Sequence, residues 1–560
     1  MLTPSTAVAL VEGDTAITYH ELDDLADRMS RVLDLRGVRP GDLVAITLPR
    51  GIGMVTALLA AGRVGAGYVL VDPDLPAGRR EAILTDTAPA LVVDASVAAA
   101  DPGPGRFAPV AVHPDDVATV MFTSGSTGRP KGVVVPHRAI RATYLDQTYA
   151  AFDADQVWLQ CSPVSWDAFA LELFGALLHG ATCVLAPGQR PDPETVADLC
   201  ARHRVTQLQV SASLFNFLVD ERPEAFALLK VVFTGGEHAS PAHVNRILER
   251  YPHLRVVNGY GPVESLGFTT TQPLTATAPG TARVPVGVPV NHKGIRVLDG
   301  KLEPAPPNTD GDVYCTGEGL AHGYLNQTGL TASRFLPDPT GTGTRLYATG
   351  DTGHLDTQGR LHITGRTDQQ IKIRGYRVEP AEITAALQAV PGIRQAAVTH
   401  RDGRLHAYIT ADGAVPADIR GTLAHRLPDY MLPTVTRLAR LPLTANGKLD
   451  TAALPSPSAQ DTAGAVTSPL MGRIGAVWAR VLNLPAVGAH DDFFALGGHS
   501  LTAVRALYLL RDELRVEIPL RAMLDACDLD DFTGAVQRLI DAGGAPKRQR
   551  VALVGRRGTR

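Results

Sequence analysis

The stretch TVMFTSGSTGRPKGVVVPHRAI, residues 119–140, is the natural starting point. An apolar, strand-like run leads into Thr123, Ser124, Gly125, Ser126, Thr127 and Gly128, then Pro130, Lys131 and Gly132, then a helix-like segment. Small residues let main-chain N–H groups approach a phosphate closely, and the hydroxyls and the lysine add further donors. A glycine-rich surface turn is the plainer alternative. Six consecutive glycine or hydroxyl residues followed by Pro-Lys-Gly favour the phosphate site instead. The stretch is not the loop of the P-loop ATPases, because no G-K-[ST] closes a G-x-x-x-x-G spacing.

Outward from this loop, short β-rich runs alternate with helix-like segments up to about residue 260. LVAITL (43–48), GYVLVD (67–72), ALVVD (90–94), VATVMF (117–122), TCVLA (182–186), TQLQVS (206–211) and KVVFTG (230–235) read as buried strands. Amphipathic stretches such as residues 20–37, closed by Gly37, lie between them, which implies α/β layering around largely parallel sheet. Residues 284–365 are rich in glycine, proline and short strands and predict a small β subdomain. A further unit starts near residues 365–380, with helices expected at 380–390 and 416–427 and a strand pair at 395–410. SPSAQDTAGAVTSP (456–469) reads as a flexible linker. Beyond it Ser468 and Pro469 look like an N-cap and first helical residue, followed by Leu470, Ile474, Val477, Trp478, Val481 and Leu482 on one face. Leu501, Val504, Leu507 and Tyr508 predict a second helix, and Phe532, Val536, Leu539 and Ile540 another.

A chain of 560 residues is too long for one core and implies several packed units. The formal net charge of −4 offers no global field for nucleic acid or an acidic membrane. Only the end, from Lys547 to Arg560, is strongly basic, and it reads as a disordered tail. Cys161, Cys183, Cys200, Cys315 and Cys527 are odd in number and never paired as C-x-x-C, so buried, reduced thiols are expected rather than disulfides or zinc. With no signal peptide and no uninterrupted apolar run of membrane-spanning length, a cytoplasmic location is expected.

TSGSTGRPKG resembles the phosphate loop of adenylate-forming enzymes: acyl-CoA synthetases, luciferases and the adenylation domains of nonribosomal peptide synthetases. ITYHELDDLA (17–26), GAGYVLVDPDLP (65–76), NGYGPVES (258–265), GDVYCTGEGLAHGYL (311–325), YATGD (347–351), GRTDQQIKIRGYRVEPAEI (365–383), LPDYMLP (427–433) and LTANGKLD (443–450) carry the resemblance to about residue 455. The terminal DDFFALGGHSL resembles a peptidyl carrier domain. The resemblance implies a multi-domain α/β protein with the adenylate-forming enzyme fold: a large N-terminal α/β body with a β subdomain (1–367) and a small mobile α+β C-terminal subdomain (368–455). The linker (456–469), a four-helix carrier bundle (470–541) and the basic tail (542–560) would follow.

It also implies two half-reactions. A carboxylate attacks the α-phosphate of Mg-ATP to give an acyl-adenylate and pyrophosphate, and a thiol then takes the acyl group. Loop residues Thr123 to Gly128 with Lys131 would hold the β- and γ-phosphates, and Glu264 would hold Mg²⁺, the usual task of a carboxylate near phosphates. Tyr260 would stack on adenine, with Asn258, Gly261 and the turn Gly235, Gly236, Glu237 around it. Asp351, helped by Arg366, would bind the ribose. Lys448 would bridge the substrate carboxylate and the α-phosphate, and Asp368 would be the hinge of the small subdomain. Four positions depart from the family pattern: Val263 stands for the usual Thr, His322 for a common Arg, and Pro380-Ala381 for Leu-Gly.

SWDAFALELF (165–174) separates the branches of the family. Asp167 sits among apolar neighbours, where an acid without a partner is costly and an ammonium group offsets that cost. In the amino-acid-activating branch this aspartate binds the substrate's α-amino group. A helix N-cap is the structural alternative. The family's remaining pocket positions fall on Ala168, Leu171, Gln209, Phe233, Gly235, Gly259, Gly267 and Phe268, apolar but for Gln209. They imply a neutral, mainly apolar amino acid, valine-like or larger. Ser500 lacks the G-x-S-x-G context of a hydrolase nucleophile and has only adjacent His499 as a base. The carrier resemblance makes it the attachment point of 4′-phosphopantetheine, at a helix start with unpaired N–H groups.

The expected product is an aminoacyl thioester on the protein's own carrier. The chain begins at the adenylation domain and ends soon after the carrier, so a stand-alone loading module is expected. Its partners would be a phosphopantetheinyl transferase, downstream synthetase or tailoring enzymes and, as for some members, a small activator protein of the MbtH-like type. An acyl- or aryl-acid ligase of the same superfamily is the enzymatic alternative.

Overall fold

The computed structural model describes residues 5–542 apart from 126–127, 277–282, 342, 374, 402–403, 417, 443–448, 456–467, 495, 499 and 527. Except for their first or last residues, the expected linker and basic tail lie outside the described residues, as does Cys527. The chain divides into two compact units, Met1–Leu432 with Arg437–Ala439, and Pro433–Thr436 with Arg440–Arg560.

The first unit is built on two large sheets. One has nine strands, in the order Val288–Pro289, Thr270–Leu274, Arg255–Tyr260, Val231–Gly235, Gln207–Ser211, Val157–Gln160, Thr182–Leu185, Val8–Glu12 and Thr15–Thr18. Neighbours are parallel from Arg255–Tyr260 across to Val8–Glu12, and antiparallel only at the two ends. The other has six strands: Gly323–Tyr324, Lys131–Pro136, Val117–Thr123, Gly67–Leu70, Leu43–Ile46 and Leu91–Val93. Every run expected as a buried strand between residues 43 and 235 coincides with one of these to within two residues. Strands covered on both faces must be apolar throughout, and Val44, Ala45, Leu208, Val232 and Phe233 are fully buried. The first long helix, Tyr19–Leu35, starts from a capping box in which Thr18 and Glu21 satisfy each other's backbone N–H groups.

One local expectation is corrected. The chain does not pass from Lys131 into a helix. KGVVVP forms the strand Lys131–Pro136, antiparallel to Val117–Thr123, and the helix starts only at His137. Three consecutive valines lose side-chain freedom in a helix and pack well on a sheet. The loop therefore joins two strands of a hairpin.

A five-stranded antiparallel sheet, Lys293–Leu298, Gly311–Gly317, Arg345–Leu355, Phe335–Pro337 and Leu361–Arg366, forms the expected β subdomain. After it come the hairpin Ile371–Ile373/Tyr376–Val378, the helix Pro380–Gln388, the hairpin Ile393–Arg401/Arg404–Ala411 and the short helix Ile419–Ala424.

The second unit contains the helices Pro469–Leu482, Ser500–Leu514, Leu520–Asp525 and Leu529–Asp541. Ser468 caps the first, its Oγ accepting from Met471 N at 3.1 Å. Trp478 packs between Phe493 and Phe532, ring centroids 4.9 and 5.5 Å away, in one apolar core. Tyr508 does not join the buried face expected of it and is 41% exposed. The buried stripe of that helix is Ala503, Ala506, Leu507 and Leu510, and Tyr508 is turned about 100° from Leu507. Among the described residues no helix is long and apolar enough to cross a membrane.

Candidate active site

A cleft of the first unit opens at the C-terminal ends of the parallel strands Gln207–Ser211, Val231–Gly235 and Arg255–Tyr260, the usual place for a ligand in such sheets. Gln209, Gly235, Gly236, Gly259, Tyr260 and Gly261 line it from these strands and the turns after them. Asp167, Ala168 and Leu171 reach it from the helix Asp167–Leu177, Gly267 and Phe268 from the loop after the turn Val263–Ser265, and Asp351 and Arg366 from the β subdomain. The structure thus brings together most of the residues expected at nucleotide and substrate. Phe233 is instead fully buried behind the wall, stacked on Trp158 at 5.8 Å. Asn258 is buried with its Nδ2 donating to Pro285 O at 3.0 Å. Glu237 accepts from Ser213 Oγ.

Asp167 is not an N-cap. Trp166 holds the cap position of its helix, and no side chain caps it. Asp167 Oδ2 instead accepts from Gly267 N at 2.8 Å, a hundred residues along the chain. Burial raises its carboxyl above the ordinary aspartate value, opposed by the Gly267 N–H and the Lys293 ammonium. Around it the wall is apolar and tightly fitted. A Cβ on Gly259 would lie 2.2 Å from the Phe268 ring, so only glycine lets that ring take its seat. Gln209 is 8% exposed, and its Oε1 has no hydrogen-bond partner among the described residues.

On the nucleotide side, Tyr260 donates its hydroxyl proton to Asp351 Oδ2 at 2.6 Å. Burial and the Asp351 charge push the Tyr260 phenol well above its ordinary value, so it stays a donor. Arg366 bonds Asp351 Oδ1 and grips both carboxylate oxygens of Asp368, at 2.8 and 3.1 Å. Lys372 Nζ stands 5.5 Å from the centroid of the Tyr260 ring. An aromatic ring, a pair of bare glycine backbones and a carboxylate at its rim suit a purine nucleoside, and their arrangement fits ATP.

Glu264, on the turn Val263–Ser265, is completely buried. Its Oε1 accepts from Tyr324 Oη at 2.7 Å and lies 3.2 Å from Lys131 Nζ, while Oε2 accepts from Arg377 Nη1 at 2.9 Å. Burial alone would raise this carboxyl; Arg377 and Lys131 outweigh it and hold it well below the usual carboxylate range. The ionised carboxylate is the hard oxygen ligand that Mg²⁺ takes beside phosphates, but Lys131 and Arg377 pair with it here, and no group of three or more His, Cys, Asp or Glu that could hold a metal occurs among the described residues.

The expected phosphate loop folds back on itself: a Cβ on Gly125 would fall 1.8 Å from Arg129 O. Its donors are engaged by the segment after residue 376. Ser124 Oγ donates to Arg377 O at 2.7 Å, and Gly125 N donates to Glu382 Oε2 at 3.1 Å. Glu382 Oε1 in turn pairs with Arg79 Nη1 at 2.5 Å, both side chains almost fully buried. Thr123 ends its strand with its Oγ1 buried and unpartnered among the described residues. Gly128 N donates to Gly125 O at 3.2 Å. Ser126, Thr127 and Lys448 lie outside the described residues. Ser500 begins its helix in the second unit; its side chain and His499 also lie outside the described residues.

Sequence reasoning missed Arg79, Lys372, Arg377 and Glu382. Lys372 and Arg377 stand inside the quoted 365–383 motif, and their alternation with Ile371, Ile373 and Val378 was the available signal. The four described cysteines are free and buried, as expected.

The AMP-binding enzyme family matches residues 2–104 and 93–325, and the phosphopantetheine attachment site family matches residues 472–536. Tyrocidine synthase 3 of Brevibacillus parabrevis is 34% identical over 93% of this chain, and a probable non-canonical nonribosomal peptide synthetase, CymA, of Salinispora arenicola is 39% identical over 97%. The chain spans only 8% and 7% of the length of these relatives. Holo-PA1221, a nonribosomal peptide synthetase protein containing adenylation and PCP domains and bound to a vinylsulfonamide inhibitor, superposes with a TM-score of 0.84 at 30% identity, over 95% of this chain and 94% of that one. With the nucleotide-shaped cleft in one unit and the helical bundle in the other, this chain belongs to the AMP-binding enzyme family, as an adenylate-forming adenylation domain of the nonribosomal peptide synthetase kind fused to a carrier domain.

Proposed function

We propose that the protein activates a neutral, mainly apolar amino acid, valine-like or larger, as its aminoacyl-adenylate and loads it onto its own carrier. The observation that carries the amino-acid reading is the Asp167 carboxylate, held by Gly267 N at one end of a cleft whose other end is Tyr260, Asp351 and Arg366. Leu171, Ala168, Phe268 and the bare glycines around it place no charge where a charged side chain would need a partner. Asp167 orients the α-ammonium group, and Lys448 and Lys131 meet the negative charge that builds at phosphorus. Tyr260 and Asp351 take the adenosine, and Glu264 holds the magnesium ion. That ion, when bound, neutralises phosphate charge. Ser500 carries the phosphopantetheine arm, whose thiol accepts the aminoacyl group. Residues 368–455 act as the moving subdomain about Asp368. The chain works in the cytoplasm with a phosphopantetheinyl transferase, downstream synthetase or tailoring enzymes, and an MbtH-like activator as partners.

The test is substrate-dependent ATP–pyrophosphate exchange across proteinogenic and common nonproteinogenic amino acids and their deaminated analogues. Exchange with neutral apolar amino acids and not with the analogues supports the proposal. Exchange only with amino-free acids makes the protein an acyl- or aryl-acid ligase.

A further inference from the structure

Lys293 opens the strand Lys293–Leu298, only 8% exposed, and belongs to none of the motifs read from the sequence. Its ammonium group donates to three main-chain carbonyls of one loop: Ser265 O at 2.7 Å, Leu266 O at 2.6 Å and Phe268 O at 3.0 Å. Burial pulls this group down to about 7; in its charged form an ammonium has three protons, and all three are used. The carbonyls converge because the loop turns through two successive left-handed residues, Leu266 with φ 48° and Gly267 with φ 62°. Gly319 leaves the space the stem needs: a Cβ there would lie 2.4 Å from Lys293 Cε.

The loop so held is the one that faces the substrate. The Leu266 carbonyl, which accepts from Lys293, and the Gly267 N–H, which donates to Asp167 Oδ2, belong to the same planar peptide group. Rotating that peptide breaks both bonds together. A cation at its oxygen also polarises the amide and strengthens the bond its N–H makes. The same ammonium fixes Phe268 O, and with it the backbone that carries the aromatic wall. A charge taken out of water must be repaid by its surroundings, and here the three carbonyls do so.

We infer that Lys293 is a positioning residue for amino-acid recognition: through the Leu266–Gly267 peptide it sets the place of the Asp167 carboxylate and the seat of Phe268. The inference rests on the reading of Asp167 as the receptor of the α-ammonium group.

The experiment is ATP–pyrophosphate exchange by the full chain with wild type, Lys293→Met and Gly319→Ala, using the preferred amino acid and its deaminated analogue. Lys293→Met keeps the stem and removes the charge, and should raise the amino-acid KM about tenfold or more while the ATP KM stays within about twofold. The preference for the amino acid over the analogue should fall by a similar factor. Gly319→Ala keeps the lysine but displaces it, and should move both quantities the same way, less far; it also decides the matter if Lys293→Met does not fold. A purely structural lysine would lower the active fraction and leave the preference untouched. Unchanged amino-acid KM and preference in the folded variants overturn the inference alone. Wild type exchanging with no amino acid overturns the reading beneath it.

Discussion

Removing the charge of Asp167 without removing its shape isolates the interaction on which the substrate assignment turns. In Asp167→Asn the amide oxygen can still accept from Gly267 N, so the 2.8 Å bond that fixes the loop has a replacement. What disappears is the counter-charge for an ammonium group enclosed by Trp166, Ala168, Leu171 and Phe268. Leaving one member of a buried ion pair without its partner costs about 3–5 kcal/mol. At 1.36 kcal/mol per factor of ten, kcat/KM for the amino acid should fall by about two to four powers of ten. The deaminated analogue brings no ammonium to be left unpaired and no longer faces a buried carboxylate without its partner, so its kcat/KM should hold or rise. The assay is ATP–pyrophosphate exchange at saturating ATP with each acid titrated in turn. An asparagine variant within about threefold of wild type for the amino acid, or equal losses for both acids, would refute the assignment.

Gly259→Ala drives a methyl group into the Phe268 ring; the KM for the preferred amino acid should rise by about tenfold or more as the wall is displaced. Arg79→Met leaves Glu382 buried beside Gly125 without its cation. It should destabilise the fold by about 3–5 kcal/mol, measured by denaturant unfolding. An unchanged unfolding midpoint would contradict it. Ser500→Ala should retain exchange and abolish the aminoacyl thioester; a folded variant that loses exchange would remove Ser500 from the role proposed for it.

The parallel core was legible because burial on both faces imposes near-continuous apolar runs, as in Leu43–Ile46 and Val231–Gly235. The turn from Lys131 into a strand was not. Deciding between a helix and a hairpin there requires knowing that Val117–Thr123 has an open edge beside it. Asp167, Tyr260, Asp351 and Arg366, which line one cleft, could be singled out because each lies in a compact motif. Lys293 and Arg79 escaped because they lie outside those motifs, and Glu382, inside the 365–383 motif, because its task is set by a distant partner. Lys293 acts on carbonyls 25–28 residues away, whose identity as acceptors depends on backbone direction and not on residue type. Arg79 and Glu382 are 303 residues apart.

The pairing of Arg377 with Glu264 has a thermodynamic consequence. A guanidinium now lies against the carboxylate proposed for the magnesium ion, so metal and arginine are rivals for one anion. Rival ligands obey mass action. Each tenfold increase of free metal above its dissociation constant disfavours the arginine-bound arrangement by about 1.4 kcal/mol. Magnesium concentration would thus bias how much of the time Glu264 is held by Arg377.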